Sequence, residues 1–290
     1  MRKALVVAGD YLELCKPRIA ILLLITTLAA MLMAARGIPS IPLILWTLLG
    51  GALASFSAGA YNCVYDADID AIMRRTCERP IPTGRISRRS GTIFATILGF
   101  VAFAILYHLV NPLAAWLSAA GNLYYVFIYT IWLKRRTPLN IVIGGAAGAV
   151  PPLVGWAAVT GHIGTPALGL FALIFLWTPP HFWALSLFSE SDYEKAGIPM
   201  LPNVRGEERT KREIIYYTLL MVIASLVLYP LHIMGAMFFA AAALLGAWFV
   251  IGALRTWRDS STVSARRLFR YSLVYLALIC VAMVVDRLVA

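Results

Sequence analysis

Charge is what this chain has least of. Of its 290 residues only 13% are charged while 61% are hydrophobic; a water-soluble chain of this size carries about 25% charged residues. That shortage excludes a soluble enzyme, a disordered region and a secreted scaffold, and it points to a polytopic membrane protein. Cysteine is also sparse. Cys15, Cys63, Cys77 and Cys280 lie far apart with no CxxC pair, so neither a disulfide framework nor a zinc site is indicated. No cleavable leader is expected either. Arg2 and Lys3 precede only a short apolar stretch interrupted by Asp10 and Glu13, and no A-x-A-like site follows. The first span would act as its own insertion signal. With no mitochondrial transit pattern, a bacterial cytoplasmic (inner) membrane is favoured.

What the chain has in place of charge is apolar length. Runs of about 20 residues cross a bilayer core as helices, and nine are expected: roughly 19–35, 41–61, 93–110, 112–132, 139–159, 166–186, 214–234, 236–254 and 270–289. Short turns join several of them, at Asn111-Pro112, around Gly161 and at Gly235. Long polar loops, 62–92 and 187–213, follow the second and sixth spans on the same face. A coarse echo links 41–110 with 166–234, either a duplication or two unrelated large loops. Residues 1–290 read as a single all-α transmembrane domain.

The basic residues orient the chain. The N-terminal segment, the loops 62–92, 133–138 and 187–213, and the segment 255–270 hold 23 of the 25 Lys and Arg; only Arg36 and Arg287 fall on the other face. Positive charge marks the cytoplasmic side, which puts the N-terminus and both long loops inside. The formal net charge of +11 is therefore a topology signal, and no nucleic-acid partner is expected.

Acids gain nothing from that rule, so their placement needs another reason. Asn62, Asp66 and Asp70 are spaced i, i+4, i+8 and form one stripe if the second span continues as a helix. Like charges so spaced repel, and a hard divalent cation such as Mg²⁺ would relieve them, because it takes oxygen ligands and keeps room for a phosphate-bearing substrate. Asp68 points away and is the weaker candidate. Arg75 and Arg79 follow among six arginines, and guanidinium groups grip phosphate bidentately. Arg85, Arg88 and Arg89 read more simply as an ordinary cytoplasmic loop. Metal-holding acids beside phosphate-gripping arginines suit the ionisation of a diphosphate ester. In the second loop Glu190, Asp192 and Glu194 have period two, which no single helical face can carry; Asp192 is the favoured metal ligand there. Lys195 and Lys134, with Arg135, are candidates for phosphate; plain surface charge for Lys195, and topology determinants for Lys134 and Arg135, are the simpler readings. Tyr61 and Tyr65 interleave with the acidic stripe, where aromatic faces would stabilise an allylic cation; an interfacial aromatic belt is the plainer reading. Gly144, Gly145 and Gly148 in the fifth span read as helix-packing positions.

Three stretches carry a resemblance. Residues 62–84 meet N-x-x-x-D-x-D-I-D-x-x-M-x-R-T-x-x-R-P-x-x-x-G in full. Residues 133–145 read Leu-Lys-Arg-Arg-Thr-Pro-Leu-Asn-Ile-Val-Ile-Gly-Gly, followed by Pro151-Pro152 and Gly155-Trp156. Thr178-Pro179-Pro180-His181-Phe182-Trp183-Ala184-Leu185 is followed by Asp192-Tyr193 and the run Ala196–Pro202. The chain thereby resembles the UbiA-type intramembrane prenyltransferase superfamily and, within it, the heme-farnesylating branch. The first stretch alone would identify only the superfamily.

The resemblance implies nine helices around a central cavity, capped on the cytoplasmic side by two Mg²⁺-binding acidic loops. It implies transfer of farnesyl from farnesyl diphosphate to a vinyl group of heme b inside the lipid bilayer, with water adding to give a hydroxyethylfarnesyl side chain. A heme A synthase or a terminal oxidase assembly would be the protein partner. The metal ligands carry over cleanly onto Asn62, Asp66 and Asp70. The superfamily's second motif usually has two aspartates four apart; here Ala196 stands four past Asp192, so the second metal site is thinner. His181, the one histidine towards the cytoplasmic half of a span, would ligate iron, contact a propionate or move a proton; a capped structural histidine after Pro179-Pro180 is the plainer reading. The competing readings are a sister enzyme that prenylates an aromatic acid or quinone precursor, and a secondary transporter. Against the transporter, the acids gather at one rim and the span interiors are nearly free of charge.

Overall fold

Prolines and polar caps decide where the apolar runs become helices. The computed structural model describes residues 2–289, and among them there are helices and turns but no strand. Helix α1 (Arg2–Leu14) leads through Cys15 and Lys16 into α2 (Pro17–Ala35). Pro17 sits in the first turn of α2, where its missing N–H costs nothing. α3 (Ile41–Tyr65) runs almost unbroken into α4 (Ala67–Asp70), since the Asp66 N–H donates to the Asn62 carbonyl at 2.9 Å and the Asp70 N–H to the Asp66 carbonyl at 2.8 Å. α5 (Arg88–Leu109) begins at Ser87, whose hydroxyl accepts the Ser90 N–H. Asn111 then turns the chain into α6 (Pro112–Leu123). Its Oδ1 accepts the Ala114 N–H and its Nδ2 donates to the Ala157 carbonyl at 2.8 Å, which ties this turn to a later helix.

α6 continues as a π-helix, Tyr124–Leu133. The expected fifth span is two half-helices, α7 (Asn140–Ala149) and α8 (Pro151–Thr160), because Pro151 has no N–H to continue the ladder. α9 (Thr165–Leu187) stays continuous through Pro179 and Pro180. Two short helices, α10 (Glu190–Lys195) and α11 (Leu201–Arg205), precede the long α12 (Glu207–Val227), α13 (Ala236–Arg258) and α14 (Thr262–Val289).

Seven of these segments are long and apolar enough to cross a bilayer: α2, α3, α5, α7 with α8, α9, α13 and α14. The remaining two expected spans fall short for visible reasons. α6 has only 12 residues before the helix type changes, and α12 opens with Glu207, Glu208, Arg209, Lys211, Arg212 and Glu213. The apolar stretch of α7–α8 is 61% buried against 17% for α5, so α7–α8 lies inside the bundle and α5 at its edge. Phe100, Trp116, Leu244 and Trp248 stay exposed, as a lipid-facing surface requires.

Trp183, Phe238, Phe249 and Tyr275 centre the main core, shared by α2, α8, α9, α12, α13 and α14. Close approach there depends on Gly155, where a Cβ would lie 2.2 Å from the Thr27 carbonyl oxygen. A second cluster (Leu14, Ala60, Cys63, Ile81, Ile86 and Ala95) fastens the first polar loop to α3 and α5. A third (Ile69, Met73, Ile141, Tyr193, Ile198 and Met200) joins the first polar loop to the second. The two loops thus meet over the end of α3. Each loop also joins neighbouring helices, α3 with α5 and α9 with α12, which is the geometric side of the echo in the sequence.

Candidate active site

Because helical hydrogen bonding persists through Asp66, the stripe expected from the i, i+4, i+8 spacing forms. Asn62, Asp66 and Asp70 are all buried, at 4%, 0% and 3% exposure, whereas Asp68, out of phase, is exposed. Buried carboxylates persist only with partners, and each has one. The Lys134 ammonium and the Asn62 amide, the latter at 2.7 Å, both donate to Asp66 Oδ2. Arg79 Nη1 donates to Asp70 Oδ2 at 2.7 Å. Burial opposes the Arg79 charge, but Asp70 beside it more than compensates and holds the guanidinium pKa above its usual range. Asn62 also donates to Thr130 Oγ1 at 3.2 Å, so the π-helix supplies part of the stripe's support.

Lys16, which in sequence looks like one more positive-inside charge, is a further member of the cluster. Its ammonium donates to Asn62 Oδ1 across 46 positions of chain. Burial, reinforced by the positive charges of Arg79 and Lys134, pulls its pKa below the ordinary lysine range. The signal in the sequence was its place, directly before the N-terminal proline of a span.

Asp68 makes its own pair outside this cluster. Arg135 grips both of its carboxylate oxygens at 2.7 Å and lies over the Tyr65 ring at 4.8 Å. That pairing, first through hydrogen bonds, brings the Asp68 carboxyl down to about 2. Arg135 reaches Asp66 Oδ1 only to 3.8 Å. Asp66 Oδ1 consequently has no hydrogen-bond partner although it is fully buried. No group of three or more His, Cys, Asp or Glu side chains gathers to hold a metal among the described residues. What the stripe offers a hard, oxygen-seeking cation such as Mg²⁺, which needs only one or two carboxylates beside a phosphate, is the open Asp66 Oδ1 with Asn62 and Asp70 one helical turn to either side.

The second polar loop enters through Tyr193 rather than through its acids. The Arg75 guanidinium donates to Tyr193 Oη at 3.1 Å and lies over its ring at 5.4 Å. Tyr193 packs with Ile69, Met73 and Tyr129 in the cluster that joins the loops. Asp192 is half-buried, Lys195 exposed, and neither has a side-chain hydrogen bond or ion pair among the described residues. Tyr129 leans on Gly144, where a Cβ would meet its Cδ2 at 2.3 Å. Gly145 likewise seats Thr178, with a Cβ 2.9 Å from Cγ2, while nothing lies within 4 Å of such an atom on Gly148.

Tyr61 and Tyr65 turn from the stripe. Tyr61 Oη shares a 2.6 Å hydrogen bond with Thr96 Oγ1 on α5. Both tyrosines line an open groove of about 420 Å³ with Arg88, Arg135, Val126 and Ile131. His181 is placed elsewhere again. Its Nδ1 contacts Ser272 Oγ at 2.6 Å, and its ring is stacked between Trp177 and Phe269 at 4.3 and 4.6 Å, within the aromatic packing between α9 and α14. The structure therefore brings together Asn62, Asp66, Asp70, Arg79 and Lys134, adds Lys16, and reaches Arg75 through Tyr193.

Residues 23–279 match the UbiA prenyltransferase family. The chain belongs to that family. It is 53% identical over 279 residues to the protoheme IX farnesyltransferase of Gloeobacter violaceus, covering 96% of this chain and 92% of that protein. In fold, this UbiA-family member is similar to a solved digeranylgeranylglyceryl phosphate synthase, with a TM-score of 0.81 at 19% identity, covering 98% of this chain and 99% of the other. It is also similar to a UbiA homolog from Archaeoglobus fulgidus solved with GPP and Mg²⁺, with a TM-score of 0.65 at 17% identity over 94% and 99% of the two chains.

Proposed function

We propose that this protein moves the farnesyl group of farnesyl diphosphate onto a vinyl group of heme b, with the diphosphate bound at the end of α3. The observation that carries the reading is the buried stripe of Asn62, Asp66 and Asp70, with one unpartnered carboxylate oxygen and a ring of cations around it. The acceptor rests on likeness to the Gloeobacter protein, half of whose aligned residues are shared over nearly the whole chain.

Asn62, Asp66 and Asp70 would hold Mg²⁺ through their side-chain oxygens, and Asp192 would approach it from the second loop. When bound, Mg²⁺ supplies neutralisation of the charge that collects on the departing diphosphate. This chain's own cations do the rest of that work: Lys134 and Arg79, already at the stripe, and Arg75 at its margin take phosphate oxygens. Arg135 and Lys195 would add charge at the rim. The packed cluster of Ile69, Met73, Tyr193 and Met200 excludes water while the allylic carbon loses its oxygen. The C1–O bond of the farnesyl ester breaks with both electrons going to diphosphate, and the terminal vinyl carbon bonds to C1. Water adds to the adjacent carbon and loses its proton, which completes the balance. Tyr129, pressed onto Gly144 beside Tyr193, presents a π-face near the developing cation.

In the membrane, α6 with its π-helix and α12 would complete nine spans around the substrate chamber. The N-terminus and both loops would face the cytoplasm of a bacterial inner membrane, as the lysine and arginine distribution supports. The product would pass within the bilayer to a heme A synthase or a terminal oxidase. Purified protein incubated with heme b, farnesyl diphosphate and Mg²⁺ tests the reading by product mass. The expected product is heme heavier by one farnesyl group and one hydroxyl. Prenylation of an aromatic acid or quinone precursor, with heme b untouched, would overturn the acceptor assignment.

A further inference from the structure

Around the stripe, positive charge is already in surplus before any ligand arrives. Asp66 and Asp70 bring two negative charges, and the side chains in direct contact with the stripe, Lys16, Lys134 and Arg79, bring three positive ones when Lys16 holds its proton. Arg135, whose Nη2 lies 3.8 Å from Asp66 Oδ1, is cancelled by Asp68, which it holds at 2.7 Å. A divalent ion alone would raise the surplus to about three charges in a partly desolvated site, where like charges repel strongly. A fully ionised diphosphate monoester carries about three negative charges, and metal and diphosphate together bring the sum close to zero.

The contacts follow the same logic. The Lys16 ammonium occupies Asn62 Oδ1 and the Lys134 ammonium occupies Asp66 Oδ2, two oxygens that a metal would use, so that only Asp66 Oδ1 stays unbonded at that residue. Lys16 is held in place by a left-handed backbone, φ 50° and ψ 56°, wedged between Cys15 and Pro17. Non-glycine residues rarely adopt that conformation, and it persists only where the surrounding structure enforces it. The strain aims a lysine at the one amide of the stripe.

We propose that Lys16 and Lys134 are exchangeable counter-ions: they hold the stripe while metal is absent, then move onto the diphosphate, so that the metal binds tightly only together with diphosphate. This inference rests on the metal-dependent prenyl transfer proposed above. Removing either lysine should loosen the coupling between the two ligands by making the stripe receptive to metal alone.

Mn²⁺, followed by electron paramagnetic resonance on the full-length protein in detergent, tests this without any turnover. Affinity is measured with and without inorganic pyrophosphate, after correction for the Mn²⁺–pyrophosphate complex in solution. In the wild type, pyrophosphate should tighten Mn²⁺ binding about tenfold or more. Lys16→Met and Lys134→Met should each bind Mn²⁺ alone several-fold more tightly than the wild type and show a smaller pyrophosphate effect. Lys16→Gly, which accepts a positive φ without strain, provides a second variant should methionine disturb the α1–α2 corner. Wild-type Mn²⁺ affinity in all three variants, with binding lost in Asp66→Asn, would overturn the counter-ion role while leaving the metal site standing. Undiminished Mn²⁺ binding in Asp66→Asn would overturn the metal reading beneath it.

Discussion

In the first polar loop Asp66 and Asp70 are buried, and each touches a cation; in the second, Glu190, Asp192 and Glu194 are partly or fully exposed, and none has a basic side chain within ion-pair distance among the described residues. Both loops are acidic, yet only one has buried its charge, at a desolvation cost that bare solvation of a surface loop would never incur. The second loop contributes instead through Tyr193, which carries Arg75 and packs over Ile69 and Met73. Glu190 shows the contrast most plainly. Burial, then its neighbours Glu207 and Glu194, pushes its carboxyl above the usual range, with no cation near enough to offset them. The lesson is that two acid clusters alike in sequence differ once folded, because only one is buried against partners.

The largest effect should come from the first loop. Asp66→Asn or Asp70→Asn is expected to lower turnover by about a thousandfold or more while the protein still inserts, since the charge proposed to hold the metal is lost. Asp192→Asn should cost about ten- to a hundredfold, as expected of an outer contributor. Equal losses from Asp192→Asn and Asp66→Asn, measured as initial rates at saturating Mg²⁺, would break the comparison. Next comes the floor beneath Tyr129. Gly144→Ala should destabilise by about 1–3 kcal/mol, because the added methyl meets an aromatic ring with no free space; thermal unfolding in detergent reads it. Gly148→Ala on the same helix, with nothing within 4 Å, should leave the melting temperature within about a degree or two.

Tyr193→Phe sharpens the second half of the contrast. It removes the hydroxyl that accepts from Arg75 and should cost about 0.5–1.5 kcal/mol of stability, with the change in activity appearing in KM for farnesyl diphosphate more than in kcat. The smallest effect is expected at Glu190. A carboxyl whose folded pKa is raised weakens the fold above its unfolded pKa, and the penalty fades as pH falls through the folded value. Glu190→Gln should therefore raise the melting temperature slightly at pH 8 and lose that advantage by about pH 4, near the ordinary glutamate value.

Much of this arrangement is legible in the sequence, and the reasons for the remainder are physical. Apolar length locates seven of the nine expected spans, and the four-residue spacing of Asn62, Asp66 and Asp70 foretells one buried face with Asp68 outside it. Composition cannot foretell that α6 becomes a π-helix at Tyr124 or that Pro151 splits the fifth span, since both depend on how neighbouring helices repay broken hydrogen bonds. Lys16 was hidden because a basic residue before a span satisfies the positive-inside bias as well as it satisfies a site. His181 and Tyr61 stood out by type and position, and the fold seats them against Ser272 and Thr96, contacts between distant parts of the chain that no local pattern records.

The central claim is that the buried end of α3 is where metal and diphosphate meet. A crystal structure with Mn²⁺ and a non-hydrolysable farnesyl thiodiphosphate tests it most directly. The account predicts an anomalous peak within about 2.3 Å of the Asp66 carboxylate, with the Lys16 and Lys134 ammoniums moved onto phosphate oxygens. A metal seated away from Asn62, Asp66 and Asp70, with both lysines still on the stripe, would contradict it.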